Sequence, residues 1–277
     1  MKIGFMSSTC PNFTVDEVIQ LAQKLGFAGF EPRVDWQHKH KIETSTDPKT
    51  VRELGRKITE AGIEIPCVAT SVITAVKGSE QKAQLDLVKR MIDLAQLVGA
   101  PNIRVFCGGA RELEETERLK LCIDTLAAAA DIAKGSGVTL CLETHDYFRL
   151  GRLVGKAVDE VNRPEVQVLW DITHAVAAGE KVADTANFLK PSRVKHSHVR
   201  DLWLTPKADG SYDQKPCHDF GQGDAVPFLK EAAQILKDSG FNGVFSLEVI
   251  FKVDDTSHDP VAFLTKVAKG MKSVFNV

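Results

Sequence analysis

The feature that most constrains this chain is a cycle: an amphipathic helical stretch, then a glycine, then a short buried apolar run. Helical patterns cover residues 16–25, 48–61, 80–98, 112–134, 151–161, 182–189, 227–237 and 260–275, the first preceded by Thr14 as N-cap. Gly26, Gly62, Gly99, Gly135 and Gly240 follow helical stretches, where a left-handed cap is expected. The apolar runs are KIGFMS, FAGFEP, IEIPCVATS, NIRVFCG, TLCLETH, VQVLWDITH, VKHSHV and GVFSLEV. Strands separated by helices are parallel strands joined by crossovers.

Eight strands with eight helices point to an α/β fold of the closed (β/α)8 TIM-barrel type. A doubly wound sheet would want a glycine-rich turn after its first strand, and here that turn reads SSTCPNF. At 277 residues the chain fits one such barrel, and no Pro/Gly/Ser-rich linker divides it, so residues 1–277 are read as a single domain. One connection stands out for length, residues 202–225 between the seventh strand and its helix, as lids and binding loops do.

Composition excludes some classes. A formal net charge of -2 gives no polyanion footprint, so nucleic acid is not an expected partner. MKIGFMSSTC is too short and polar for a signal peptide, and no apolar run approaches the roughly 20 residues a bilayer needs. The expectation is a cytoplasmic protein with no membrane partner. Six cysteines without a Cys-x-x-Cys pair read as free thiols in a reducing compartment.

In a barrel of this kind the chemistry sits at the C-terminal strand ends, and strand alternation separates inward from outward residues. In TLCLETH, Leu140 and Leu142 pack under helices while Cys141, Glu143 and His145 face inward. In GVFSLEV, Ser246 and Glu248 are the inward pair. The sixth strand puts Leu169 and Asp171 on one face, the seventh His196, His198 and Arg200; polar groups on both faces make parity less decisive there. Four consecutive strands, about 4.8 Å apart, thus each bring a potential ligand to one rim. Three carboxylates and an imidazole suit one divalent ion such as Mn2+, Mg2+, Co2+ or Zn2+, and burying them together without a cation would be unfavourable.

The segments LETH, WDITH, HVRD, GQGD and SLEV, in that order, resemble the xylose-isomerase-like TIM-barrel superfamily. Sugar phosphate isomerases/epimerases, ketose 3-epimerases, inosose dehydratases and endonuclease IV belong to that group. The resemblance implies Glu143, Asp171, His198 and Glu248 as metal ligands, with His198 preferred to His196 for its spacing to Asp201. It implies Glu143 and Glu248 as catalytic acid–base groups, and His145 and His174 as substrate contacts. Two departures matter. CVATS and NIRVFCG lack the extra histidines of a trinuclear endonuclease centre, and the further glutamate and arginine of ketose 3-epimerases fall here on Arg149 and Leu204.

Other candidates carry two readings each. Glu31 binds a substrate hydroxyl or forms a structural ion pair; Arg200 holds a substrate or pairs with a carboxylate; His174 touches substrate or caps the loop after strand six. His218 lies in the long connection, within reach of the site if that connection folds over it. Trp36 and Trp203 cover a sugar face or pack beneath loops. In GQGD, Gly221 and Gly223 set a turn, Asp224 caps the next helix and Pro227 occupies its first turn.

The chemistry expected is metal-assisted proton transfer through an enediolate on a sugar or related polyhydroxy ketone, by an isomerase/epimerase for which a homo-oligomer is an open expectation. A dehydratase of an inosose- or dehydroshikimate-like substrate is the alternative. A non-catalytic sugar-binding barrel is the third reading.

Overall fold

The computed structural model describes residues 1–255 and 257–277. Its elements are β1 (Lys2–Met6), α1 (Val15–Leu25), β2 (Gly29–Glu31), α2 (Pro48–Glu60), β3 (Val68–Ile73), α3 (Gly78–Val98), β4 (Asn102–Phe106) and α4 (Glu115–Ala133). They continue with β5 (Thr139–Glu143), α5 (Gly151–Val161), β6 (Val166–Asp171), α6 (Ile172–Ala177), α7 (Val182–Leu189) and β7 (Val194–Val199). A hairpin of β8 (Leu202–Pro206) and β9 (Tyr212–Pro216) precedes α8 (Val226–Asp238), β10 (Val244–Leu247) and α9 (Pro260–Phe275).

Eight parallel strands run in the order β2-β1-β10-β7-β6-β5-β4-β3. The two ends of that sheet meet through parallel bridges, Gly29 to Glu64 and Arg33 to Ala69. Four backbone hydrogen bonds carry the closure: Glu64 N–H to Ala28 O and Phe30 N–H to Glu64 O, both at 2.9 Å, Ala69 N–H to Pro32 O at 3.0 Å, and Val34 N–H to Ala69 O at 3.2 Å. The molecule is a single-domain (β/α)8 barrel, as the helix–glycine–strand cycle predicts.

Closure produces two apolar layers. Phe5, Phe30, Leu140, Leu142, Val168, Phe245 and Leu247 pack outward under the helices, while Cys67, Cys141 and Leu169 form a separate cluster inside the barrel. The inward assignment of Cys141 and Leu169 fixes the parity of β5 and β6, and hence that of Glu143 and Asp171 two residues on. All six cysteines are free and buried.

Local chemistry explains the boundaries. Thr14 caps α1 in a capping box with Glu17, and Gly26 ends it at φ 74°. The strand expected through WDITH stops at Asp171, because its Oδ1 accepts the His174 N–H at 3.0 Å and starts α6, a helix absent from the sequence reading. Asp224 does not cap α8 as expected. Its carboxylate accepts the Leu204 N–H at 2.9 Å, and α8 starts from Ala225 with Pro227 in its first turn. The glycines do set a turn, with Gly221 and Gly223 N–H both 2.8 Å from Asp201 Oδ2. No helix among the described residues is long and apolar enough to cross a membrane.

Candidate metal centre

The ends of β5, β6, β7 and β10 bring Glu143, Asp171, His198 and Glu248 together, with one potential ligand atom from each lying within 4.8 Å of the others. Glu248 follows β10 directly, and its N–H donates to Val199 O at 3.1 Å, so pairing with β7 aims its side chain inward. All four residues are buried.

His198 has its two nitrogens in different company. Nδ1 lies 2.6 Å from Glu143 Oε1 and 3.6 Å from Glu248 Oε2, while Nε2 lies 3.0 Å from Glu31 Oε1. Glu31 is fully buried and also holds His196 Nε2 at 2.8 Å. Of its two readings, the ion pair is therefore the one displayed. A carboxylate behind an imidazole fixes ring orientation and raises basicity, as carboxylates behind metal-bound histidines do. Burial alone would push the His198 imidazole down, but Glu31, Glu248 and Glu143 hold it well above its ordinary value.

Two arginines interleave with the carboxylates. Arg104 Nη1 lies 3.0 Å from Glu248 Oε1 and 3.5 Å from Glu143 Oε2. Arg200 Nη2 contacts Asp171 Oδ2 and Glu248 Oε2 and lies 3.1 Å from His174 Nε2. Arg200 thus shows its ion-pairing role. Against the burial that would raise them, Arg104 and His198 hold the Glu143 carboxyl below the usual range, and Arg200 with His174 does the same for Asp171.

These contacts leave room for a cation. Glu31, Glu143, Asp171 and Glu248 present four carboxylates to two guanidiniums and the His198 imidazole, so negative charge stays in surplus even with that ring protonated. Glu143 Oε2 is buried without a hydrogen-bond partner. A carboxylate oxygen free of hydrogen bonds, beside two further carboxylates and an imidazole, fits a divalent ion, and this donor set would hold it.

The other sequence candidates lie at varied distances from this centre. His145 stands at the rim, its Nδ1 3.0 Å from Asp146 Oδ1 and its ring 5.1 Å from Phe106 and 4.8 Å from His174. Trp36 is exposed beside Arg33, and Trp203 is exposed on β8. His218 is not drawn into this network: it is exposed, its ring resting 6.1 Å from Phe251 and 5.8 Å from Phe263. Arg104 and Arg33 were missed by sequence reasoning. A charged residue amid apolar neighbours, on the parity of Asn102 and Phe106, was the signal for Arg104. Arg33 shares the parity of Glu31.

Comparison with known proteins agrees with this geometry. The xylose isomerase-like TIM barrel family model matches residues 19–266. The curated proteins contain no sequence match. Among solved structures, the IolI protein with a binding zinc atom is 18% identical, with TM-score 0.80, covering 100% of this chain and 98% of that one. The 3-keto-D-glucoside 4-epimerase YcjR from E. coli is 15% identical at TM-score 0.74, covering all of both chains. The probable 3-DHS dehydratase AsbF from Bacillus anthracis is 18% identical at TM-score 0.73, covering 98% of this chain and 99% of that one. The closed barrel, the acid-rich mouth and a family match over most of the sequence lead to one conclusion: the chain belongs to the xylose isomerase-like TIM barrel family.

Proposed function

We propose that this protein is a divalent-metal-dependent isomerase or epimerase of a polyhydroxy ketone, with Glu143, Asp171, His198 and Glu248 as the ligand set. The observation that carries this reading is the convergence of Glu143 and Glu248 on Arg104 Nη1, with Glu143 Oε2 buried and making no hydrogen bond. When bound, the metal would polarise the substrate carbonyl and an adjacent hydroxyl, supplying Lewis-acid stabilisation of developing negative charge.

The protein groups then divide the proton work. One of Glu143 and Glu248 takes the proton from the carbon beside the carbonyl, and the other returns one from the opposite face. Arg104 touches both carboxylates and stabilises whichever is ionised. Glu31, through His198, keeps the imidazole oriented. His145 and His174, side by side at the rim, contact substrate hydroxyls. A positioned base contributes typically ~10²–10⁴-fold.

Dehydration is the second reading, favoured by the His145–Asp146 pair at the rim. Such a pair could protonate a departing hydroxyl, converting the same intermediate to an unsaturated product.

The test is incubation with Mn2+ and a panel of ketoses, inososes and keto acids in D2O, followed by chelation and mass spectrometry. Deuterium gain without loss of water is the expected result, abolished in Glu143→Gln and Glu248→Gln. Loss of water would transfer the assignment to a lyase. Absence of exchange with every compound would refute the enzyme reading.

A further inference from the structure

Arg33 is a buried cation that the acid–base cluster does not use. It lies two residues beyond Glu31 on the same inward parity, one step nearer the mouth. The residue is only 5% exposed. Its guanidinium donates to Ala69 O at 3.0 Å through Nη1 and to Ser71 Oγ at 2.8 Å through Nη2. Both acceptors are neutral, and among the described residues no carboxylate lies within ion-pair distance of Arg33.

Every other arginine that enters the barrel mouth is paired. Arg104 meets Glu143 and Glu248, and Arg200 meets Asp171 and Glu248. Burial and the positive charge of Arg104 work against Arg33 and push it down to about 9, despite Glu248, Glu143 and Glu31 farther off. A desolvated guanidinium that also feels a second positive charge is costly unless an anion arrives to pair with it.

The fold holds this arginine in place. Its backbone N–H donates to Ser7 Oγ at 2.8 Å, and that hydroxyl is 2.9 Å from the buried His38 Nδ1. The bridge to Ala69 ties the same residue to the β3 side of the barrel closure. The Trp36 ring covers one face of the guanidinium, 4.3 Å from Cζ, and remains 41% exposed. Ser71, which Nη2 reaches, is itself exposed on β3. The arginine is thus buried on its flanks and reaches an open edge of the mouth, prepared for an anionic oxygen group.

We infer that the substrate carries an anionic oxygen group, a carboxylate or a phosphate, and that Arg33 binds it while the polyhydroxy ketone portion reaches the Glu143–Glu248 pair. This rests on the function proposed above for its catalytic half alone. Ser71 Oγ would share the anion as a donor, and Trp36 would cover the carbon chain beside it.

The test uses unreactive probes, so that binding is read independently of catalysis. Calorimetric affinities of the Mn2+-supplemented protein are compared for gluconate, glucitol 6-phosphate and glucitol, which present a carboxylate, a phosphate and no charge. One of the two anions should bind at least about tenfold tighter than glucitol, and which one does so names the group. Arg33→Gln should erase that preference and Arg33→Lys should restore part of it. Equal wild-type affinities for all three probes would overturn the inference, as would a preference that survives Arg33→Gln. If Arg33→Gln fails to fold, the wild-type comparison decides alone. The two proposals fail separately. Deuterium exchange in neutral ketoses without an anion preference removes this inference only, whereas an Arg33-dependent preference without exchange removes only the isomerase reading.

Discussion

At the residue scale, the site depends on groups that act through their neighbours. Glu31 touches neither Glu143 nor Glu248, yet its bond to His198 Nε2 sets which imidazole nitrogen faces Glu143. Glu31→Gln should therefore weaken Mn2+ binding by roughly 10–100-fold in a folded barrel, measured by titration calorimetry. Unchanged affinity would show that the imidazole is oriented by packing alone. His40 offers a test of a different kind. Its Nδ1 accepts the Ile42 N–H at 2.9 Å, and its Nε2 is buried without a partner, so the neutral ring is the form that fits. Burial, aided by His38, pushes it from 6.5 down to about 3. The unfolded chain then binds more protons between those values. This contribution to stability is complete above about pH 6.5 and is lost as pH falls through that window. His40→Asn, which keeps an acceptor, should show a shallower fall in melting temperature between pH 6.5 and pH 4 than wild type. Equal slopes would contradict this account of His40.

At the scale of elements, the sequence was most legible where chemistry repeats. Alternation in β5 and β10 placed Glu143 and Glu248 inward, and the clusters around Leu140, Leu142 and Cys141 show why: opposite faces meet different apolar layers. The signal failed where a side chain overrides local pattern. Asp171 is the last residue of a strand and the cap of a helix at once, so an apolar run that reads as continuous strand changes element within it. Asp224 resembles a cap, yet the hairpin takes its carboxylate. The connection over residues 202–225 is not a bare loop but carries β8 and β9, whose pairing depends on contacts distant in sequence. Glycine at 270 illustrates a close approach of the same sort. A Cβ there would lie 1.8 Å from Phe220 O, where α9 backs the segment following the hairpin. Gly270→Ala should destabilise by about 1–3 kcal/mol in denaturant unfolding, since the contact is with backbone and cannot swing aside. An unchanged midpoint would mean that this segment moves freely relative to α9.

At the scale of the molecule, the barrel gathers charge that only its closure makes compatible. Arg104 from β4 reaches Glu248 beyond β10 because the sheet curves through a full circle, a contact between residues 144 apart in sequence. Such a pair is made only by closure, which is why Arg104 escaped sequence reasoning while Arg200 and the carboxylates did not. On the function proposed, a divalent ion binds the folded chain and not the unfolded one. At a hundredfold excess over its Kd, Mn2+ should add about 2.7 kcal/mol of stability, raising the melting temperature by several degrees, reversed by chelator. A scan with and without metal checks this. The central claim is that four residues at the mouth hold one ion, and calorimetric titration of metal-free protein with Mn2+ tests it most directly. One ion per chain is predicted, with binding abolished by Asp171→Asn and by Glu248→Gln. No binding to the wild-type protein, or binding unchanged in both variants, would contradict it.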